Sequence, residues 1–233
     1  MLLDIAHHPL MALFVTIGSY LVAQRVQAKM NGNSALNPVV MAIFMVVIYL
    51  VVCDIPYNTY LTNATLINSL LGPATVALAL PLYKQLDVIK RSALAIMSAV
   101  CVSAIVAAGL AYVLADMMGA NEAIKLSIMP KSVTTPIAIG IAEKIGTEAS
   151  LAVFFLFTTG IVGTLIVSAL FKLFRVTDQR AIGLSLGVTC HGLGVARAFQ
   201  YSEKAGVFAA LGMSVMGVLC GIAIPIVVLM FLQ

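Results

Sequence analysis

The chain is 233 residues long, 62% hydrophobic and 9% charged, with a mean hydropathy of +1.10. A soluble domain carries about 25% charged residues, so this composition excludes a soluble enzyme, a nucleic-acid binder and a disordered regulator. The net charge of +4, from 13 Lys+Arg against 9 Asp+Glu, is too small for a basic nucleic-acid face and is better read as membrane topology.

The first residues, MLLDIAHHPL, have no basic n-region and no clear small-residue cleavage site. No removable signal peptide is expected, and residues 10–24 are read as part of a retained first span. Uncharged stretches then cover 5–24, 30–53, 55–83, 92–115, 149–171 and 205–233, each at least 20 residues. That is enough for a helix to cross a hydrocarbon core of about 30 Å at 1.5 Å per residue. The prediction is an all-α polytopic membrane protein forming a single domain over 1–233. It has about 6–7 transmembrane helices plus one or two broken or re-entrant helices, with the N-terminus outside. A closed β-barrel would need segments of about ten residues alternating in hydrophobicity, and these runs do not alternate.

In the second stretch Asn37 precedes Pro38, the pattern of an N-cap followed by proline at the first helical position. Pro73-Ala74-Thr75-Val76 echoes Pro130-Lys131-Ser132-Val133, compatible with duplicated broken helices. Tyr57, Tyr60, Tyr83 and Tyr201 fit interface anchors, and the 12 methionines read as packing. Cys53, Cys101, Cys190 and Cys220 form no C-x-x-C pair. They read as buried small hydrophobes rather than a disulfide framework or a zinc site.

Two segments do not fit plain spans. Residues 122–144 hold Lys125, Pro130, Lys131 and Pro136, and residues 178–200 hold His191, Gly192, Gly194 and Arg197. Both carry charge and helix breakers at membrane-like hydropathy. Arg25 and Lys29, then Lys84, Lys90 and Arg91, then Lys172, Arg175 and Arg180 mark cytoplasmic loops near 29, 87 and 176. Two loops on one side are separated by an even number of crossings, yet three apolar segments lie between 87 and 176. One of them must turn back. The candidate is 122–144, entering from outside; whether 178–200 crosses or re-enters stays open.

Pro136 lacks an N–H and would clash with the Ser132 carbonyl in a continuous helix, and Thr135 is pushed away from helical geometry. Irregular backbone at membrane depth is tolerated only inside protein or beside a water-filled cavity. The stretch Lys131-Ser132-Val133-Thr134-Thr135 therefore offers one ammonium, three hydroxyls and freed amides, an inventory for a carboxylate with a neighbouring keto or hydroxyl group. The bland alternative is a proline-kinked crossing helix whose hydroxyls bond back to carbonyls. A central lysine costs roughly 2.5–3.5 kcal/mol on insertion scales, which weighs against it unless Lys131 snorkels. In the second segment, Arg197 offers a planar fork for a carboxylate, and Gly192 and Gly194 allow close backbone approach. Here the bland alternative is an interfacial Arg197 paired with Glu203 and a His191 bonded to a carbonyl. No metal is expected, because His191 has no i, i+4 histidine partner. No H-E-x-x-H, G-x-S-x-G or paired intramembrane carboxylate suggests an enzyme.

The candidate substrate-binding residues are thus Lys131, Ser132, Thr134, Thr135, His191 and Arg197. The structural or hinge candidates are Asn37, Pro73, Pro130, Pro136, Gly192 and Gly194. Cofactors are not expected, and a coupling ion is left open between a proton, which would suit a titrating His191, and Na+.

The runs Met129-Pro-Lys-Ser-Val-Thr-Thr-Pro-Ile-Ala138, His191-Gly-Leu-Gly-Val-Ala-Arg197 and Pro73-Ala-Thr-Val-Ala-Leu-Ala-Leu-Pro-Leu-Tyr83 strongly resemble the LrgB/CidB family. The likeness covers essentially the whole chain. The common pattern around the histidine has Ala where this chain has Gly192. The resemblance implies a multi-pass protein of the bacterial inner membrane and two functional readings. One is a carrier of small monocarboxylates of the pyruvate, glycolate or lactate class, as in the related plastid glycolate/glycerate translocator. The other is an antiholin-like or holin-like modulator of murein hydrolase export and autolysis, acting with a small LrgA/CidA-type membrane protein. Embedded cations and hydroxyls suit the carrier, and altered acid flux could still change autolysis indirectly. Partners expected are the carboxylate, the lipid bilayer, that small protein and further copies of the chain, with no nucleic acid.

Overall fold

The computed structural model describes residues 8–30, 37–70, 73, 77 and 79–231. Among them every regular element is helical. The chain forms two compact units, Met1–Ala79 and Leu80–Gln233.

In the first unit, α1 (Pro9–Lys29) starts at His8, whose side chain accepts the Leu10 N–H, and ends on Lys29. Next, α2 (Pro38–Val52) is capped by Asn37, which is 2% exposed and whose Oδ1 accepts the Val39 N–H at 2.9 Å. Pro38 stands at the first helical position, where its missing N–H costs nothing. The chain turns through Asp54 (φ 51), and α3 (Tyr57–Asn63) leaves at 119° to α2. The Tyr60 hydroxyl lies 2.6 Å from Thr16 Oγ1 on α1. A short α4 (Thr65–Ser69) follows.

The stretch 55–83, expected as one span, is therefore not one continuous helix. Pro56 withholds a donor, and Asn58 and Asn63 compete with the helical backbone for hydrogen bonds. Of the Pro73–Val76 echo, Pro73 is exposed, and Ala74, Thr75 and Val76 lie outside the described residues. Short helices α5 (Ala79–Lys84) and α6 (Leu86–Arg91) lead onward.

The second unit is built on three long apolar helices, α7 (Ala93–Met117), α10 (Ala149–Leu173) and α12 (Glu203–Phe231), each long enough to cross a membrane. Between them lie two segments that turn back.

The first is α8 (Glu122–Ile128), a non-helical stretch at 129–134, and α9 (Thr135–Lys144). The chain leaves α7 through Gly119 (φ 75) and is capped by Asn121, whose Oδ1 accepts the Ile124 N–H at 3.0 Å. Thr147, just past α9, donates to the Ala123 carbonyl at 3.2 Å and lies 2.7 Å from Ser127 Oγ. A helix that kept going would carry Thr147 more than about 30 Å from Ala123 at 1.5 Å per residue. Lys125 holds the same end to α7 through Asp116 at 2.8 Å and pairs with Glu122 on its own helix at 2.6 Å. This is hairpin 1, and α9 gives it a depth of about 15 Å, half a hydrocarbon core.

The second segment is α11 (Gln179–Tyr201). Its 23 residues are enough to cross by length and composition, but the helix breaks at His191 (φ 43, ψ −131). Ser202 Oγ donates to Gln179 Oε1 at 2.9 Å, which brings the two ends of α11 together. Gly194 lies against the Leu186 carbonyl of the opposite arm. This is hairpin 2, with arms 179–190 and 192–201. It starts beyond the C-terminal end of α10, whereas hairpin 1 finishes at its N-terminal end, so the two enter from opposite faces. Asp178 caps the first arm, and Arg180, 2.6 Å away, holds its carboxyl down to about 2.

Apolar burial gives helices little reason to associate in lipid, so close backbone contact has to hold them together. Gly183 lies against the carbonyl of Ala205 and Gly187 against that of Ala209, so the first arm of hairpin 2 and α12 run side by side at small-xxx-small spacing on both helices. Across the unit, α9 reaches α12 through Ile137, which occupies the space over Gly217.

Candidate functional site

The tip of hairpin 2 is fixed on α10. His191 Nε2–H donates to the Leu156 carbonyl at 3.1 Å, and an added Cβ at Gly160 would come within 2.7 Å of that nitrogen. Gly163 likewise leaves room for the Cys190 sulfur. Leu156 and Gly163 bracket the middle of α10, which puts this tip at mid-depth. A non-glycine residue at φ 43 is strained, and such strain persists only where surrounding contacts over-determine it. Here the imidazole bond supplies that contact.

The tip of hairpin 1 is a run of single turns. Lys131 N–H donates to Ile128 O at 3.2 Å and Val133 N–H to Pro130 O at 3.3 Å. Pro130, Ser132 and Val133 are buried, Lys131, Thr134 and Thr135 are half-buried, and Pro136 is exposed. Lys131 Nζ lies 3.5 Å from Ser132 Oγ and within electrostatic reach of Cys190 on hairpin 2 and Cys220 on α12. Thr134 is the N-cap of α9, but its hydroxyl makes no capping bond, and Pro136 opens the helix. The α9 N-terminus therefore points its first amides into the region of the tip. The return arm of hairpin 2 begins beside Cys190, at Gly192.

Five of the six candidate binding residues thus lie at the two tips: Lys131, Ser132, Thr134 and Thr135 on hairpin 1 and His191 on hairpin 2. Arg197 does not join them. It is 7% exposed, donates to Gln200 Oε1 at 2.5 Å and Ser168 Oγ at 3.2 Å, and lies 5.4 Å over the Tyr201 ring. Ser168 is twelve residues, or about 18 Å, beyond Leu156 along α10. Arg197 ties the base of hairpin 2 to α10, together with the Tyr201 hydroxyl, 2.5 Å from Ser168. Grouping it with Lys131 followed from its chemistry and ignored its depth.

The sequence reading missed Gly160, Gly163, Gly183 and Gly187, which seat hairpin 2. The small-xxx-small spacing of Gly183 and Gly187 was a usable signal. It also missed a cavity of about 220 Å³ beside the start of hairpin 2, lined by Ser92, Ile96, Arg180, Leu184 and Phe208 among others. None of the candidate residues lines that cavity.

The LrgB-like family model matches residues 16–230. The chain belongs to the LrgB-like family. Holin-like protein CidB of Staphylococcus epidermidis is 29% identical over 219 residues, covering 94% of this chain and 95% of the relative. CidB of Staphylococcus aureus is 29% identical over 222 residues, covering 95% and 96%. YxaC of Bacillus subtilis is 33% identical over 219 residues, covering 94% and 95%. No solved structure matches the chain. This LrgB-family chain is thus a multi-helix membrane protein, and its staphylococcal relatives bear a holin-like name.

Proposed function

We propose that this LrgB-family protein carries a small monocarboxylate across the bacterial inner membrane. The observation that supports this reading is the meeting of two opposed hairpins at mid-depth. Each starts a returning helix there, α9 at Thr135 and the second arm at Gly192, and Lys131 on hairpin 1 lies within electrostatic reach of Cys190 on hairpin 2. Helix N-termini carry roughly half a positive charge and unpaired amides. Broken helices aimed at an anionic substrate recur in secondary transporters.

In this reading Lys131 attracts the carboxylate, the free amides of the α9 N-terminus bind it, and Ser132, Thr134 and Thr135 supply hydroxyls. His191 positions the second tip, and Arg197 fixes the base of hairpin 2.

A second reading is carried by the relatives' names: a holin-like protein, to which the resemblance adds a role in autolysis alongside a small LrgA/CidA-type membrane partner. The comparisons favour it over any particular acid. Uptake of labelled pyruvate and glycolate into proteoliposomes, with and without such a partner, separates the two. The carrier reading expects uptake by the protein alone that unlabelled acid competes away. Absence of uptake in both preparations would leave the holin-like reading.

A further inference from the structure

The cavity beside the start of hairpin 2 lies where three helices begin together. Its volume is about 220 Å³, and α7, the first arm of hairpin 2 and α12 all line it. The rim carries Ser92, Asp178 and Arg180, all at helix starts. The floor is Ile96, Leu184 and Phe208, about 5–8 Å further into their helices at 1.5 Å per residue. A floor with no hydrogen-bonding side chain suits neither water nor a polar solute. The volume is also below the roughly 300–1,000 Å³ of pockets that enclose a drug-sized ligand, so it takes a chain rather than a whole molecule. The rim is different. Arg180 gives Nε and Nη2 to Asp178, and its Nη1 makes no bond among the described residues. Asp178 is already engaged by that guanidinium and by the Arg180 N–H. Lys204 lies within electrostatic reach of Asp178, and Lys90 and Arg91, both exposed, directly precede Ser92. The segments that lead into the three helices, 80–92, 172–180 and 202–204, carry seven Lys and Arg against three Asp and Glu.

We propose that this cavity binds an anionic phospholipid, its phosphate at the rim on Arg180 and Lys204 and its first acyl carbons along Ile96, Leu184 and Phe208. Basic pockets between membrane helices take the headgroups of anionic lipids. Both halves of the ligand are needed, because an inorganic anion meets only the rim and an uncharged chain only the floor. The bound lipid bridges α7 and the start of hairpin 2. None of the candidate substrate-binding residues lines the cavity, so this site is separate from the hairpin tips and does not depend on the carrier reading.

The test uses full-length protein purified in detergent, given equal amounts of phosphatidylglycerol and phosphatidylcholine with the same acyl chains. Native mass spectrometry should show one phosphatidylglycerol retained per chain, roughly ten-fold over phosphatidylcholine, since each nearby Lys or Arg adds a few-fold. Equal retention of the two lipids would overturn the proposal. Phosphatidylglycerol with a photoreactive diazirine near the top of one acyl chain should crosslink to residues 92–96, 180–184 or 204–208. Crosslinks confined to other segments would place the lipid elsewhere and overturn the site. Excess inorganic phosphate should leave retention unchanged, and displacement by it would make the rim a plain anion site and overturn the lipid assignment. Arg180→Gln should lower phosphatidylglycerol to the phosphatidylcholine level, and Arg180→Lys should recover most of the preference. Glutamine keeps the backbone N–H that Asp178 accepts, so this variant should melt like the unmodified chain before lipid is added. An undiminished preference in Arg180→Gln would overturn the assignment of the phosphate to the rim.

Discussion

Lys131→Gln is expected to weaken carboxylate binding ten- to hundred-fold while the protein inserts in normal amount. The substitution keeps a donor and removes the charge. A hydrogen bond to a charged group contributes about 1.5–3 kcal/mol, and each 1.4 kcal/mol is a factor of ten in affinity. Folding should tolerate the change because the turns of hairpin 1 are made by backbone bonds, Lys131 N–H to Ile128 O and Val133 N–H to Pro130 O, which glutamine retains. Half-saturation for competing pyruvate, normalised to inserted protein, is the measurement. Unchanged half-saturation would remove Lys131 from the site.

Gly187→Val is expected to prevent assembly of the second unit. A Cβ at Gly187 lands on the backbone carbonyl of Ala209, and a carbonyl inside a packed helix cannot swing aside as a side chain can. Overpacking a core costs typically 1–3 kcal/mol where neighbours can adjust, and this contact leaves little adjustment. In lipid no hydrophobic term compensates, because a separated arm is as well solvated by acyl chains as a packed one. Size-exclusion profiles and thermal melts of detergent-solubilised protein should show loss of the folded species. Gly192→Ala, with nothing near its added methyl, should melt like the unmodified chain. Equal melting of the two variants would contradict the packing described for hairpin 2.

Hairpin 1 was legible in the sequence because charge and proline act locally. The basic loops near 87 and 176 demand an even number of crossings, and Pro130 and Pro136 mark where the turning segment breaks. Hairpin 2 was harder to read. Its 23 residues and hydropathy satisfy a plain span, and it turns at a histidine, a residue that does not advertise a left-handed conformation. The missed signal was Lys204, which follows the segment as Lys172, Arg175 and Arg180 precede it, so the same parity reasoning could have returned both ends to one face. Arg197 was misplaced because composition records its chemistry but not its depth, and only the bond to Ser168 fixes that.

The central claim is that two hairpins enter from opposite faces and meet at mid-depth. Sided labelling tests it. Single cysteines replace Met118 and Glu148, flanking hairpin 1, and Thr177 and Glu203, flanking hairpin 2, in a background without native cysteines. All four positions are exposed. In oriented vesicles an impermeant thiol reagent should label the 118 and 148 variants from one face only, and the 177 and 203 variants from the other face only. Labelling of 177 and 203 from opposite faces would make α11 a crossing helix and would contradict the account.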